Sequence, residues 1–129
     1  MTGSKKDEKL IKNLIEKSQV SSISDISGKT DLLELKELYS KCKLVITPDS
    51  GSAHIAWAAQ KPCVISLFSA TSSKRTGPFG DENKYFSIQS LAQCSPCMKK
   101  KCRNEKDKDI CTHCFNIDDI KKYIDLSLK

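Results

Sequence analysis

Residues 44–59 read Leu-Val-Ile-Thr-Pro-Asp-Ser-Gly-Ser-Ala-His-Ile-Ala-Trp-Ala-Ala. The segment from Lys43 to Thr47 is short, apolar and β-branched, and Pro48 ends it, the profile of a buried strand. Asp49, Ser50, Gly51 and Ser52 follow as a polar turn, and residues 53–59 form a helix of small side chains. Pro62-Cys63-Val64-Ile65-Ser66-Leu67-Phe68 is a second continuous apolar strand. Two such runs around an alanine-rich helix predict neighbouring parallel strands joined by a right-handed crossover.

Working outward, residues 7–17 carry Leu10, Ile11, Leu14 and Ile15 at helical spacing among Lys and Glu, a surface helix. The Ser-rich residues 18–25 loosen the pattern, and Val20, Ile23 and Ile26 support only a short strand or extended segment. Gly28-Lys29-Thr30 makes a turn, with Thr30 the expected N-cap of a helix that places Leu32, Leu35, Leu38 and Tyr39 on one face. Beyond the second strand lie a polar loop at 69–84, a third strand at Tyr85-Phe86-Ser87-Ile88, and a closing helix with Ile117, Ile120, Tyr123 and Ile124 on one face and Asn116 as its cap. The expected class is α/β, a Rossmann-like parallel sheet with helices on both faces, plus a Cys-rich loop and a C-terminal helix. Residues 1–129 are expected to form a single domain, with the cysteine segment 94–114 inside it.

Composition sets the bounds. A chain of 129 residues, 38% hydrophobic and 29% charged, supports one core. No run approaches the ~18 apolar residues of a membrane span, and no apolar stretch follows the first lysines as in a secretory signal, so the expected compartment is the cytoplasm. The net charge of +6 is unevenly spread: residues 1–40 carry seven charges of each sign, while 41–93 and 94–129 carry +3 each. An excess this modest favours an acidic surface without demanding nucleic acid.

Loops at the carboxyl ends of parallel strands are where such sheets bind ligands. Gly51 lets a phosphate approach closely, and the amides of Ser50, Gly51 and Ser52 lie at a helix N-terminus, where unpaired N–H groups and the dipole favour an anion. His54, in the first turn, faces the same anion as a donor. Asp49 is repelled by phosphate, so its expected task is to order the loop by accepting backbone N–H bonds. Composition alone leaves the alternative of a common Asp-Ser-Gly turn and a structural histidine.

Five of the seven cysteines fall between Cys94 and Cys114. Cys94-x-x-Cys97 and Cys111-x-x-Cys114, 13 residues apart, approach the spacing of a four-thiolate zinc site. Cys102 is an alternate ligand and His113 a further one. An iron–sulfur cluster and unligated thiols are the competing readings.

The segment from Asp49-Ser50-Gly51-Ser52-Ala53-His54 through Lys61-Pro62-Cys63-Val64 to Leu67-Phe68-Ser69-Ala70-Thr71 resembles the donor-site signature of glycosyltransferase family 9, the heptosyltransferases of the bacterial lipopolysaccharide inner core. Gly28-Lys29-Thr30-Asp31-Leu32 resembles the turn and helix before it, and Arg75-Thr76-Gly77-Pro78-Phe79-Gly80 the loop after it. Cys94-Ser95-Pro96-Cys97, Cys102 and Cys114-Phe115 are similar to the family's cysteine-bearing tail, which favours Cys94, Cys97 and Cys102 with one later cysteine as a ligand set.

The resemblance implies a two-domain GT-B enzyme, and every matched motif belongs to its C-terminal, nucleotide-sugar half. Met1-Thr2-Gly3-Ser4 resembles the end of a strand and the turn after it, so the acceptor domain is expected to be absent and the chain inactive alone. Carried over, Ser50, Gly51 and His54, with Ser52, would hold the diphosphate of an ADP-sugar such as ADP-heptose, Asp49 would order the loop, Lys29 and Thr30 would lie near the nucleoside, and Thr71 near the donor. Lys74 and Arg75 would add positive potential or stand solvated. The implied reaction is inverting displacement at the anomeric carbon. It requires a base to activate the acceptor hydroxyl, and no residue in the chain matches that base. Transfer needs no cofactor under this reading; structural zinc is the expected metal. The implied partners are the ADP-sugar donor and, through the other domain, the lipopolysaccharide core acceptor, with peripheral contact at the inner face of the inner membrane.

Two other functions fit parts of the chain. One is a small basic zinc module binding nucleic acid through Lys99, Lys100, Lys101, Arg103, Lys106 and Lys108, but Glu105, Asp107 and Asp109 interrupt that run and stacking aromatics are missing. The other is a catalytically dead remnant that binds nucleotide or a partner subunit.

Overall fold

The two apolar runs pair with each other in parallel. In the computed structural model, which describes residues 1–129, β1 (Leu44–Pro48) lies beside β2 (Cys63–Phe68), and β3 (Tyr85–Gln89) adds to the other side of β2, giving the order β1-β2-β3. The register sets Ile46, Ile65 and Phe86 in one row and Thr47, Ser66 and Ser87 in the next. Rows alternate between faces, and two contacts show what covers each. The Tyr85 hydroxyl donates to the Trp57 carbonyl of α3 (Gly51–Ala59) at 3.4 Å. Phe86, on the opposite face, stacks on Tyr123 of α5 (Ile117–Leu128) with centroids 4.2 Å apart. Helices therefore cover both faces.

The core follows from this arrangement. Val64, Ile65, Ser66 and Phe68 of the central strand are buried on both faces, and Ala53, Ala56 and Ala59 bring α3 close against the sheet. Strand β1 departs from the fully buried expectation: Val45 and Thr47 are buried, but Ile46 is 47% exposed. An edge strand in this sheet shields one of its faces well and the other poorly.

The chain divides into two compact units, Met1–Leu35 and Lys36–Lys129. In the first, α1 (Glu8–Ser18) buries Ile11, and Met1–Gly3 runs alongside residues 24–28 through bonds from Ile26 N to the Met1 carbonyl and from Gly28 N to the Gly3 carbonyl. Residues 19–26 contain turns at Gln19 and at Ser21 and Ser22 and no strand. Gly28 has φ +66°, and a Cβ there would stand 2.6 Å from Lys5 Cγ, so the turn requires glycine.

Helix α2 (Leu32–Ser40) spans the boundary between the units. Its cap is Asp31, not Thr30. Asp31 Oδ1 accepts from the amides of Leu33 and Glu34, and the Glu34 carboxylate accepts from Asp31 N, a reciprocal box that Thr30 cannot make. Leu32 is 71% exposed and lies off the buried face formed toward Tyr39. The polar 69–84 loop contains one short helix, α4 (Ser73–Thr76). Asn116 caps α5, its side chain accepting from the amides of Asp118 and Asp119.

Candidate functional site

The loop after β1, the loop after β2 and the chain leaving β3 all emerge at the carboxyl edge of the sheet. Pro48 leads into Asp49, and α3 begins two residues later, at Gly51. Ser50, the N-cap, is extended at φ −155° and ψ 174°, and its side chain makes no capping bond. The first bonded amide at this helix end is that of Ala53, donating to the Ser50 carbonyl at 3.0 Å. The preceding amides are thus left for a ligand or water. A Cβ built on Gly51 meets nothing within 4 Å, so the fold leaves open space over the first helical residue.

Each predicted donor-site residue has a definite place. Ser50, Gly51 and His54 are exposed on the first turn of α3. The His54 ring sits edge-on to Trp57 with centroids 4.7 Å apart, which steadies the imidazole while leaving it in solvent. The Ser52 hydroxyl is engaged with the hydroxyl of buried Tyr39 at 2.5 Å, so it anchors the helix start rather than standing open as a donor. Asp49 orders the loop by a different route from the one expected. Its amide donates to the Leu67 carbonyl at 2.9 Å, and its Oδ2 accepts from the Thr76 hydroxyl of α4 at 3.2 Å. Thr71 is half-buried in the loop after β2. Lys74 and Arg75 are exposed on α4. Lys29 and Thr30 belong to the first unit, where Lys29 Nζ donates to the Asp25 carbonyl at 2.9 Å.

Sequence reading missed Gln89, which holds this edge together. Its Nε2 donates to the carbonyls of Thr71 (3.0 Å) and Phe68 (3.1 Å) and to Ser95 Oγ (2.8 Å), while its Oε1 accepts from Ser73 N at 3.1 Å. The only local signal was an amide ending an apolar strand, which does not name partners so far along the chain.

The cysteines also sort differently from their spacing. Cys94, Cys97, Cys102 and Cys111 line one cavity of about 450 Å³. Cys114 does not. Its carbonyl accepts from Leu91 N at 2.7 Å and from the Ser90 hydroxyl at 3.0 Å, which pins that residue beside the chain leaving β3. His113 faces Asp107 at 3.8 Å on the surface.

A three-stranded parallel sheet with helices on both faces and an uncapped, glycine-bearing helix N-terminus at its carboxyl edge is a Rossmann-like α/β domain. The family model for glycosyltransferase family 9 (heptosyltransferase) matches residues 1–108, and the chain belongs to that family. Among curated relatives, the lipopolysaccharide core heptosyltransferase OpsX of Haemophilus influenzae is 42% identical over 65 residues, covering 50% of this chain and 18% of the relative. Lipooligosaccharide heptosyltransferase 2 of the same organism is 36% identical, covering 62% of this chain and 24% of the relative. This chain thus spans about a quarter or less of the length of these relatives. The crystal structure of a family 9 glycosyltransferase from Veillonella parvula DSM 2008 superposes with a TM-score of 0.66 over 98% of this chain and 35% of that one, at 20% identity, a likeness of fold.

Proposed function

We propose that this chain is the nucleotide-sugar half of an inverting heptosyltransferase of lipopolysaccharide core biosynthesis, and that the loop at Asp49–His54 holds the diphosphate of ADP-heptose. The observation that carries this reading is the start of α3. Its first amides are uncapped, and Gly51 opens onto space no protein atom fills. Within a family of heptosyltransferases, a diphosphate is the ligand that suits such an edge.

In this reading each residue has a distinct task. The amides of Gly51 and Ser52 and the His54 imidazole donate to the diphosphate oxygens, and they offset the charge that grows there as the sugar departs. Asp49 does not touch the anion; held by Thr76, it fixes the backbone that presents those amides. Lys74 and Arg75, on the helix that supplies Thr76, raise the local positive potential. No side chain of this chain is assigned as the base that takes the acceptor proton. We assign that base, and the lipid-borne acceptor, to the portion of the relatives that this chain does not cover. The chain alone then binds the donor without transferring its sugar, because excluding water and aligning the acceptor need the remaining portion. A lipid-borne acceptor brings the working enzyme to the inner face of the inner membrane as a peripheral protein, and no helix of this chain is long and apolar enough to cross one.

Calorimetric titration with ADP tests the reading. The unaltered chain binds weakly, and His54→Ala loses about 1–3 kcal/mol, the scale of a hydrogen bond to a charged group. Equal ADP affinity in both proteins would move the donor site away from α3, and sugar transfer by the chain alone would refute the assignment of the base.

A further inference from the structure

We propose that Cys94, Cys97, Cys102 and Cys111 form a four-thiolate site for one divalent ion of the zinc class, with Cys114 outside it. The four residues line one cavity although they span 18 positions of a segment almost without regular structure, whose only helical turn is Ile110–Thr112. The spacing of paired motifs favours Cys114 over Cys102; the fold reverses that choice by placing Cys102 in the lining of the cavity and leaving Cys114 out of it.

Three further features fit a thiolate site. First, the turn bearing Cys94 and Cys97 is held in place independently of any ion: Ser95 Oγ donates to the Ser69 carbonyl at 2.6 Å, and Met98 N donates to the Ala70 carbonyl at 2.8 Å. Second, Cys102 Sγ already accepts a hydrogen bond from Asp109 N at 3.2 Å, the kind of outer contact that orients a ligand and stabilises its anionic form. Third, Lys99, Lys100 and Arg103 line the same cavity. When a divalent ion binds, four S–H bonds give up their protons to solvent and four metal–sulfur bonds form, with no change of oxidation state and a net charge of −2 on the centre. The three cations offset that charge.

No three His, Cys, Asp or Glu side chains yet stand together in ligating geometry, so binding must draw the segment inward around the anchored Cys94–Cys97 turn. The ion would thereby brace the loop after β2, to which this turn is tied through Ser69 and Ala70.

Cobalt(II) titration of the reduced chain, followed by absorption, is the test. One equivalent gives sulfur-to-metal charge transfer and the intense visible bands of a tetrahedral thiolate centre. Cys94→Ser, Cys97→Ser, Cys102→Ser and Cys111→Ser each weaken cobalt binding by more than about tenfold, the lower end of what even outer-shell partners contribute. Cys114→Ser and Cys42→Ser leave it unchanged. Far-ultraviolet circular dichroism of each variant separates lost ligation from lost fold. Should a ligand variant fail to fold, the pair Cys102→Ser and Cys114→Ser still decides between the two ligand sets. Loss of the bands in Cys114→Ser with retention in Cys102→Ser would overturn the assignment. So would a chain that gives no charge-transfer band and whose seven thiols react with a thiol reagent at one rate with or without zinc.

Discussion

The hydroxyl of Thr76 donates to Oδ2 of Asp49 across 3.2 Å, joining the loop after β1 to the short helix after β2. The same hydroxyl lies 3.2 Å from the Ser72 carbonyl, so its single proton is shared between an acceptor in its own helix and one in the neighbouring loop. The Asp49 amide is already spent on the Leu67 carbonyl. Thr76 is therefore the contact that orients the carboxylate and, through it, the start of α3. Replacing it with the near-isosteric valine removes the donor and keeps the shape. Thr76→Val is expected to leave the thermal midpoint nearly unchanged while weakening ADP binding by about 1 kcal/mol, the net scale of one hydrogen bond. Thr76→Ser restores it. Calorimetry on the three proteins checks this, and full affinity in the valine variant would show that Asp49 needs no such support.

Gly51 separates what the fold needs from what a ligand needs. Nothing stands within 4 Å of a Cβ built there, and alanine is favoured over glycine inside a helix by up to about 1 kcal/mol. Gly51→Ala should leave stability equal or slightly higher, and Gly51→Val should still fold. Both lose ADP affinity, the valine variant completely, because branched bulk occupies the space left for phosphate. Melting curves together with calorimetry distinguish the two effects; unchanged ADP binding by the valine variant would place the diphosphate elsewhere.

These positions also mark how far the sequence could be read. The strands at 44–47 and 64–68, the helix between them and the cap at Asn116 were legible because apolar periodicity and capping chemistry are local signals. The exposure of Ile46 was not, since an apolar run looks the same at a sheet edge as at its centre. Thr30 and Asp31 are adjacent cap-forming residues, and only the reciprocal bond with Glu34 decides between them. The contacts of Thr76 with Asp49 and of Gln89 with Thr71 and Ser95 join residues brought together by the crossovers, which no spacing rule encodes. Local spacing likewise pairs Cys111 with Cys114, whereas the cavity gathers Cys102.

Acid should act on the first unit through two carboxylates. The hydroxyl and amide of Ser4 hold Asp7 below its ordinary value of 3.8, and those of Ser27 do the same for Asp25. A carboxylate whose value is lower in the folded chain contributes stability above the unfolded value, and that contribution is lost as pH falls through the folded value. Stability should therefore decline as the pH drops from about 4, and Ser27→Ala should return Asp25 toward 3.8. Carbon-13 titration of the side-chain carboxyls measures this directly. An Asp25 that titrates identically with and without the Ser27 hydroxyl would show that this hydrogen bond does not set its acidity.

Ser66 offers the opposite kind of test, because its hydroxyl is a defect in the core. It lies on the central strand, in register with Thr47 and Ser87 on the face that α3 covers, fully buried, and its Oγ has no hydrogen-bond partner. Neighbouring Thr47 escapes the same cost by donating to the Pro48 carbonyl at 3.1 Å. A buried hydroxyl without a partner costs roughly 1–3 kcal/mol, while deleting one oxygen opens a void far smaller than those left by Leu-to-Ala changes, which cost about 3–5 kcal/mol. The first effect wins, so Ser66→Ala should stabilise the chain by about 1 kcal/mol. Urea denaturation is the measurement: the midpoint should rise with an unchanged slope, because the surface exposed on unfolding is nearly the same. A fall in the midpoint would mean that the hydroxyl is satisfied in solution by a buried water, which alanine could not hold.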